Sequence, residues 1–145
     1  GKYIDKFFNA MYKDAGDTMK ELYFDLKTHY QSVNDWSTNA GSFTPKQYPY
    51  PVLLRFIGQI DKALAEIEHY KLTDPDMYDV LKDRIETESV TFLYAIFNIY
   101  GPQVSRPFSD EDLKMWKARL KPIADRYVVS SASYLSPING VLDSY

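Results

Sequence analysis

Apolar residues recur at helical spacing in five stretches of the chain, separated by polar breaks that carry Gly, Pro, Asp or Asn. Ile4, Phe7, Phe8 and Met11 form the first stripe; Met19, Leu22, Tyr23, Leu26, Tyr30 and Val33 form the second, after a break around Asp14 to Asp17. The third starts near Pro51, a residue suited to a first helical turn, and runs through Leu53, Phe56, Ile57, Ile60, Leu64 and Ile67. Ala63 and Ala65 add helix propensity. The fourth has Thr73 or Asp74 as N-cap and Pro75 in the first turn, follows Met77, Leu81, Ile85, Phe92, Ile96 and Ile99, and ends at "YGP". From Val90 onward it is apolar nearly all round, which predicts neighbours on several sides.

The fifth helix opens at "SDED", where Ser109 can cap, Asp112 can replace the usual Glu of a capping box, and the acids face the positive end of the helix dipole. Its inner face is Leu113, Trp116, Leu120, Ile123 and Tyr127. Pro122 removes a backbone donor inside this pattern, predicting a kink, or a stop near Leu120 followed by a further turn. From Val128 the helical period is lost, and a short strand or an extended docking tail is expected. The reading is therefore all-α: a single-domain bundle of about five antiparallel helices with one long aromatic loop and an extended C-terminal tail.

The chain has 145 residues, enough for one domain with a sizeable core. A formal charge of -3 offers no broad attraction for phosphate backbones, which argues against nucleic acid as main partner. The absence of cysteine excludes disulfides and cysteine-ligated metal. The longest nearly apolar run, Val90 to Tyr100, is far shorter than the about 20 residues of a membrane helix. Gly1 reads as a remnant of a removed tag.

Candidate chemistry is sparse, with no "GxSxG", "HExxH" or Gly-rich phosphate loop in the chain. His29 and His69 lie on different helices and read as structural or solvated histidines, so no metal or cofactor is expected. The acids between Asp61 and Glu88 are interrupted by Lys62, Lys71, Lys82 and Arg84, the pattern of a solvated helix face. Glu86 and Glu88, two apart on a helix, point in different directions and do not form a carboxylate pair. The bases Lys114, Lys117, Arg119, Lys121 and Arg126 suit the C-terminal half of the fifth helix through its dipole. The loop "NDWSTNAGSFTPKQYPYP" carries Trp36, Phe43, Tyr48 and Tyr50, with Pro45, Pro49 and Pro51 stiffening its second half. These four rings are the candidate ligand-binding or docking residues. Sealing a core or docking is the preferred use, and stacking on a sugar is the alternative.

The stretch "YIDKFFNAMYKDAGDTMKELYFDL", with Phe7, Asn9 and Tyr12 in an "F-x-N-x-x-Y" pattern and Tyr23, Asp25 and Leu26 near a "Y-x-x-D-L" end, resembles the C-terminal helical domain of a largely uncharacterised family of bacterial secreted proteins. Their central domain resembles the barrel of α-glucuronidases. The run "IDKALAEIEHYKLTDPDMYDVLKDRIETESVTFLYAIF" is similar to that family's helix pair with a "D-P-x-Y"-like turn. The family's glycine directly follows the tyrosine, whereas here it arrives at Gly16. The resemblance implies an extracytoplasmic, non-catalytic accessory domain from the C-terminal part of a larger carbohydrate-active protein, with other domains of the same polypeptide as partners. The alternatives are a carbohydrate-binding module using the Trp36–Tyr50 loop and a protein-interaction or dimerisation bundle.

Overall fold

A computed structural model describes residues 1–33, 44–102 and 104–129 of the chain. The fold is all-α, with helices at each of the five predicted positions and no strand among the described residues. In chain order these five are α1 (Lys2–Tyr12), α2 (Gly16–Ser32), α3 (Tyr50–Ile67), α5 (Pro75–Ala95) and α6 (Asp110–Val129), and a single helical turn, α4 (Tyr70–Thr73), is added between α3 and α5. The described residues fall into two compact units. One combines 1–33 with 54–89, and the other combines 44–53 with 90–129.

In the first unit, α1 and α2 are joined by a 3₁₀ turn, Lys13–Ala15, and pack against each other. Gly16 lies against Asn9, and Lys20 Nζ reaches Asp5 Oδ1 at 2.5 Å, so residues later in α2 meet residues earlier in α1, the register of an antiparallel hairpin. Lys13 holds φ 50° and ψ -122°, a conformation that glycine adopts freely and lysine does not. Gly16 is ordinary right-handed helix, so its missing side chain serves proximity rather than backbone freedom. Ala15, Met19 and Leu22 of this hairpin are buried, as are Phe56, Ile57, Ile60, Ala63 and Ile67 of α3 and Tyr78, Leu81 and Ile85 of α5. Polar bonds join these helices: Thr18 Oγ1 donates to Glu66 Oε1, Gln59 Nε2 to Asp25 Oδ2 (2.5 Å), and Arg84 Nη1 to the Met11 carbonyl (3.0 Å).

The "KLTDPD" stretch does more than turn the chain, because α4 adds one helical turn before the next cap. Asp74 is that cap: its Oδ1 accepts the Met77 N–H at 3.2 Å, with Pro75 in the first turn of α5.

The second unit holds the segment that is apolar all round. Phe92, Leu93, Ala95, Ile96, Phe97, Ile99 and Tyr100 are all buried, and Ile96–Tyr100 widen into a π turn. Ser109 caps α6, its Oγ accepting the Asp112 N–H at 3.1 Å, and Leu113, Trp116, Leu120 and Ile123 face inward as expected. The Tyr127 side chain lies outside the described set.

Two local expectations are corrected here. The helix does not stop near Leu120; α6 runs through Pro122 to Val129. Leu120 before the proline and Ile123 and Ala124 after it are buried, so packing supports the helix on both sides of Pro122. Pro122 and Ala118, whose carbonyl loses its partner, are both exposed, so water can satisfy that oxygen. Val128 and Val129, expected in the tail, are helical, and the remainder of the tail lies outside the described residues.

Candidate functional site

Two surface features collect the residues with unspent chemistry. The larger is an apolar groove of about 580 Å³ in the first unit. Helix α1 contributes Tyr3, Ile4, Phe7, Phe8, Met11 and Tyr12; α2 contributes Met19, Leu22, Tyr23 and Leu26; α5 contributes Glu88. In a bundle, the first two apolar stripes of the sequence would face inward. The structure buries only part of them: Phe8, Tyr12, Met19 and Leu22 form the floor, while Tyr3, Phe7 and Tyr23 keep 89%, 56% and 50% of their surface exposed. A run of rings follows the groove, with Phe7 edge-on to Phe8 (5.2 Å), Phe8 against Tyr12 (6.1 Å) and Tyr23 (5.7 Å), and Tyr23 edge-on to Phe24 (5.3 Å). These are offset and edge geometries that aromatic pairs favour.

Among the described residues, Glu88 is the one carboxylate lining this groove. The residue as a whole is exposed, yet its carboxyl lies against the apolar wall, and loss of water there raises it above the ordinary carboxylate range. It makes no hydrogen bond or ion pair with a described residue. Arg84, one turn earlier, is bonded to the Met11 carbonyl instead. The Tyr12 hydroxyl is pushed up to about 12, first by burial and then by the charge of Glu88, with Arg84 acting in the opposite direction. From the sequence, Glu88 reads as part of a solvated acidic face and as an unmatched neighbour of Glu86, and its place in the groove is not visible there, since nothing in a single helix period says what α1 brings opposite it.

The second feature lies in the other unit and contains the described part of the aromatic loop. A turn is built at residues 44–48: Thr44 N–H donates to Gln47 Oε1 (3.3 Å), Gln47 N–H donates to Thr44 Oγ1 (3.2 Å), and Tyr48 N–H donates to the Thr44 carbonyl (3.0 Å). Tyr48 is 3% exposed, and its carbonyl accepts the Tyr100 hydroxyl proton at 2.9 Å. Tyr50 packs on Phe108 (4.8 Å) and edge-on to Tyr100 (5.9 Å), and its oxygen accepts Trp116 Nε1–H at 3.2 Å. Burial raises the Tyr50 hydroxyl, partly offset by the Trp116 bond. Trp36 and Phe43, the other two candidate rings, lie outside the described residues.

Next to Tyr50 is a shallow cavity of about 480 Å³ lined by Pro45, Pro49, Pro51, Pro107, Tyr100, Ser105 and Arg106. Arg106 Nη1 donates to Asp110 Oδ1 at 2.9 Å, and Nη2 makes a long 3.4 Å contact with the Gly101 carbonyl. Its Nε is buried without an acceptor.

The two histidines take different places. His29 is buried with its ring edge-on to Phe56 at 5.6 Å, a core histidine. His69 is exposed and pairs with Asp14 Oδ2 at 2.7 Å. Among the described residues no group of three His, Asp or Glu is placed to share a metal ion, and no helix is long and apolar enough to cross a membrane. No family model, curated protein or solved structure matches the chain.

Proposed function

We propose that the chain is a non-catalytic helical accessory domain that docks through its α1–α2 groove on a neighbouring domain of the same, larger polypeptide. The observation that carries this reading is the aromatic surface left in water: Tyr3, Phe7 and Tyr23 lie half or more exposed along one continuous groove. Scattered exposed rings need no explanation, whereas a contiguous set along a concave face marks an interaction surface. The resemblance of the α1–α2 and α3–α5 sequences supplies the context, a bacterial, extracytoplasmic, glycoside-hydrolase-associated protein whose chemistry resides on a barrel outside this chain.

The test is hydrogen exchange on the chain alone and joined to the domain that precedes it in the parent protein. Slowed exchange across 2–12 and 16–26 in the joined protein is the expected result. A Phe7→Glu change should lower the melting temperature of the joined protein while leaving that of the isolated chain within about 1 °C, because Phe7 is already exposed. Unchanged exchange on that face would reject the docking role, and a concentration-dependent dimer of the isolated chain would assign the face to self-association instead.

A second reading is glycan binding at the Tyr50 cavity, favoured by the buried, unpaired Nε of Arg106. A donor stripped of water and left without an acceptor costs about 1 to 3 kcal/mol, and the guanidinium that carries it borders the cavity beside Tyr100. Trp116, bonded to Tyr50, is the natural reporter. Glucuronoxylan fragments should change its fluorescence saturably in the parent and not in Arg106→Leu; no response in either rejects this site.

A further inference from the structure

Resting on the docking reading, the groove itself indicates what its occupant must carry. Its walls are aromatic and aliphatic, and among the described residues Glu88 is the only carboxylate that lines them. An apolar occupant alone would bury that carboxylate further with nothing to satisfy it, and an isolated charge taken out of water is strongly unfavourable. Arg84, one turn earlier on α5, turns to the Met11 carbonyl and forms no ion pair with Glu88. The counter-charge therefore has to arrive with the occupant.

We propose that the segment docking in the α1–α2 groove carries apolar side chains and one lysine, whose ammonium pairs with Glu88. Lysine fits better than arginine on two counts. Its aliphatic stem can lie along Phe7 and Tyr23 while only the tip is polar. Its three donors suit the two Glu88 oxygens and the hydroxyl of Tyr12, a residue that also lines the groove, whereas the five donors of a guanidinium would be left short of acceptors.

A lysine side chain with its apolar surroundings is imitated by octylammonium, so the probes are octylammonium, 1-octanol and octanoate at equal ionic strength, read by the methyl resonances of ¹³C-methionine. The chain has four methionines; Met11 and Met19 line the groove, and Met115 in the other unit serves as control. The expected order of affinity is octylammonium, then octanol, then octanoate, with about tenfold between the first two, a ratio equivalent to about 1.4 kcal/mol. In Glu88→Gln, octylammonium should fall to the level of octanol while octanol is unchanged. Equal affinities for ammonium and alcohol in the parent, or an ammonium preference that survives in Glu88→Gln, would overturn the lysine assignment and leave the docking groove standing. Failure of all three probes to shift Met11 and Met19 would remove the groove as a binding surface, and the docking reading with it.

Discussion

A β-carbon on residue 16 would stand 2.5 Å from Asn9 Oδ1, 3.0 Å from the Phe8 carbonyl oxygen and 3.1 Å from Asn9 Cα. Asn9 Oδ1 is the end of a side chain and can turn away, but two of these atoms are backbone. Gly16→Ala therefore has to push α1 from α2, and should cost about 1 to 3 kcal/mol, the usual range for overpacking. Urea denaturation of the two proteins measures this. A cost below half a kilocalorie would mean that the hairpin separates without penalty.

Lys13 presents the opposite case, a side chain where glycine would be more comfortable. Its φ of 50° is a conformation that costs a non-glycine residue about 1 to 3 kcal/mol, while a glycine there gives up up to about 1 kcal/mol through greater freedom when unfolded. Lys13→Gly should stabilise the chain by about 1 kcal/mol and Lys13→Ala should leave it unchanged. Equal destabilisation by both would place the value of Lys13 in its side chain.

Glu88 should make stability depend on pH in a particular direction. Its folded-state carboxyl is raised by desolvation, so between the ordinary carboxylate range and the raised value the folded chain binds more protons than the unfolded one. Stability from this group falls as pH rises through that window. Glu88→Gln should accordingly melt higher than the parent at pH 7, and the two should converge as the solution is acidified. A variant less stable at pH 7 would show that the carboxylate has a favourable partner.

Tyr100 ties the π turn to the loop through its hydroxyl, which donates to the Tyr48 carbonyl in a buried setting. Tyr100→Phe removes that bond while keeping the ring, and should cost about 1 kcal/mol. Its effect should also appear as faster amide exchange at residues 44–48. Unchanged exchange there would mean that the Thr44–Gln47 bonds hold the turn by themselves.

Most of the helical framework was legible in the chain because caps and stripes agree. Asp74 with Pro75, and Ser109 with the acids after it, mark helix starts by chemistry that depends only on neighbours in sequence. The stripes of α3 and α5 also located buried residues, Leu53 to Ile67 and Leu81 to Ile99, because apolar residues at those positions do face a core. For α1 and α2 the same signal misplaced Phe7 and Tyr23. Periodicity identifies an apolar face, but whether the chain itself covers that face depends on the partner helices. Gly16 and Lys13 were illegible for a related reason: one answers to an atom seven residues away across a hairpin, the other to a turn whose sequence carries no glycine at the strained position. Of the loop, only the chemistry of the rings could be read. That Tyr48 is core while Tyr50 borders a cavity depends on Tyr100 and Trp116, more than fifty residues further along.

The interleaving of the two units also sets an order of events during synthesis. A chain emerging from the ribosome at about 5 to 20 residues per second folds its N-terminal parts first. The first unit draws on 1–33 and 54–89, so all of its residues have been made once Ser89 has been added. Residues 44–53, made before half of that unit exists, belong with 90–129 and have to wait for them. For that interval Tyr48 lacks the Tyr100 hydroxyl and Tyr50 lacks Trp116, and the nascent chain carries their aromatic surface in water. A pause in translation between residues 54 and 100 would prolong that exposure and make this short segment the place where a chaperone or a misfolded neighbour finds the protein.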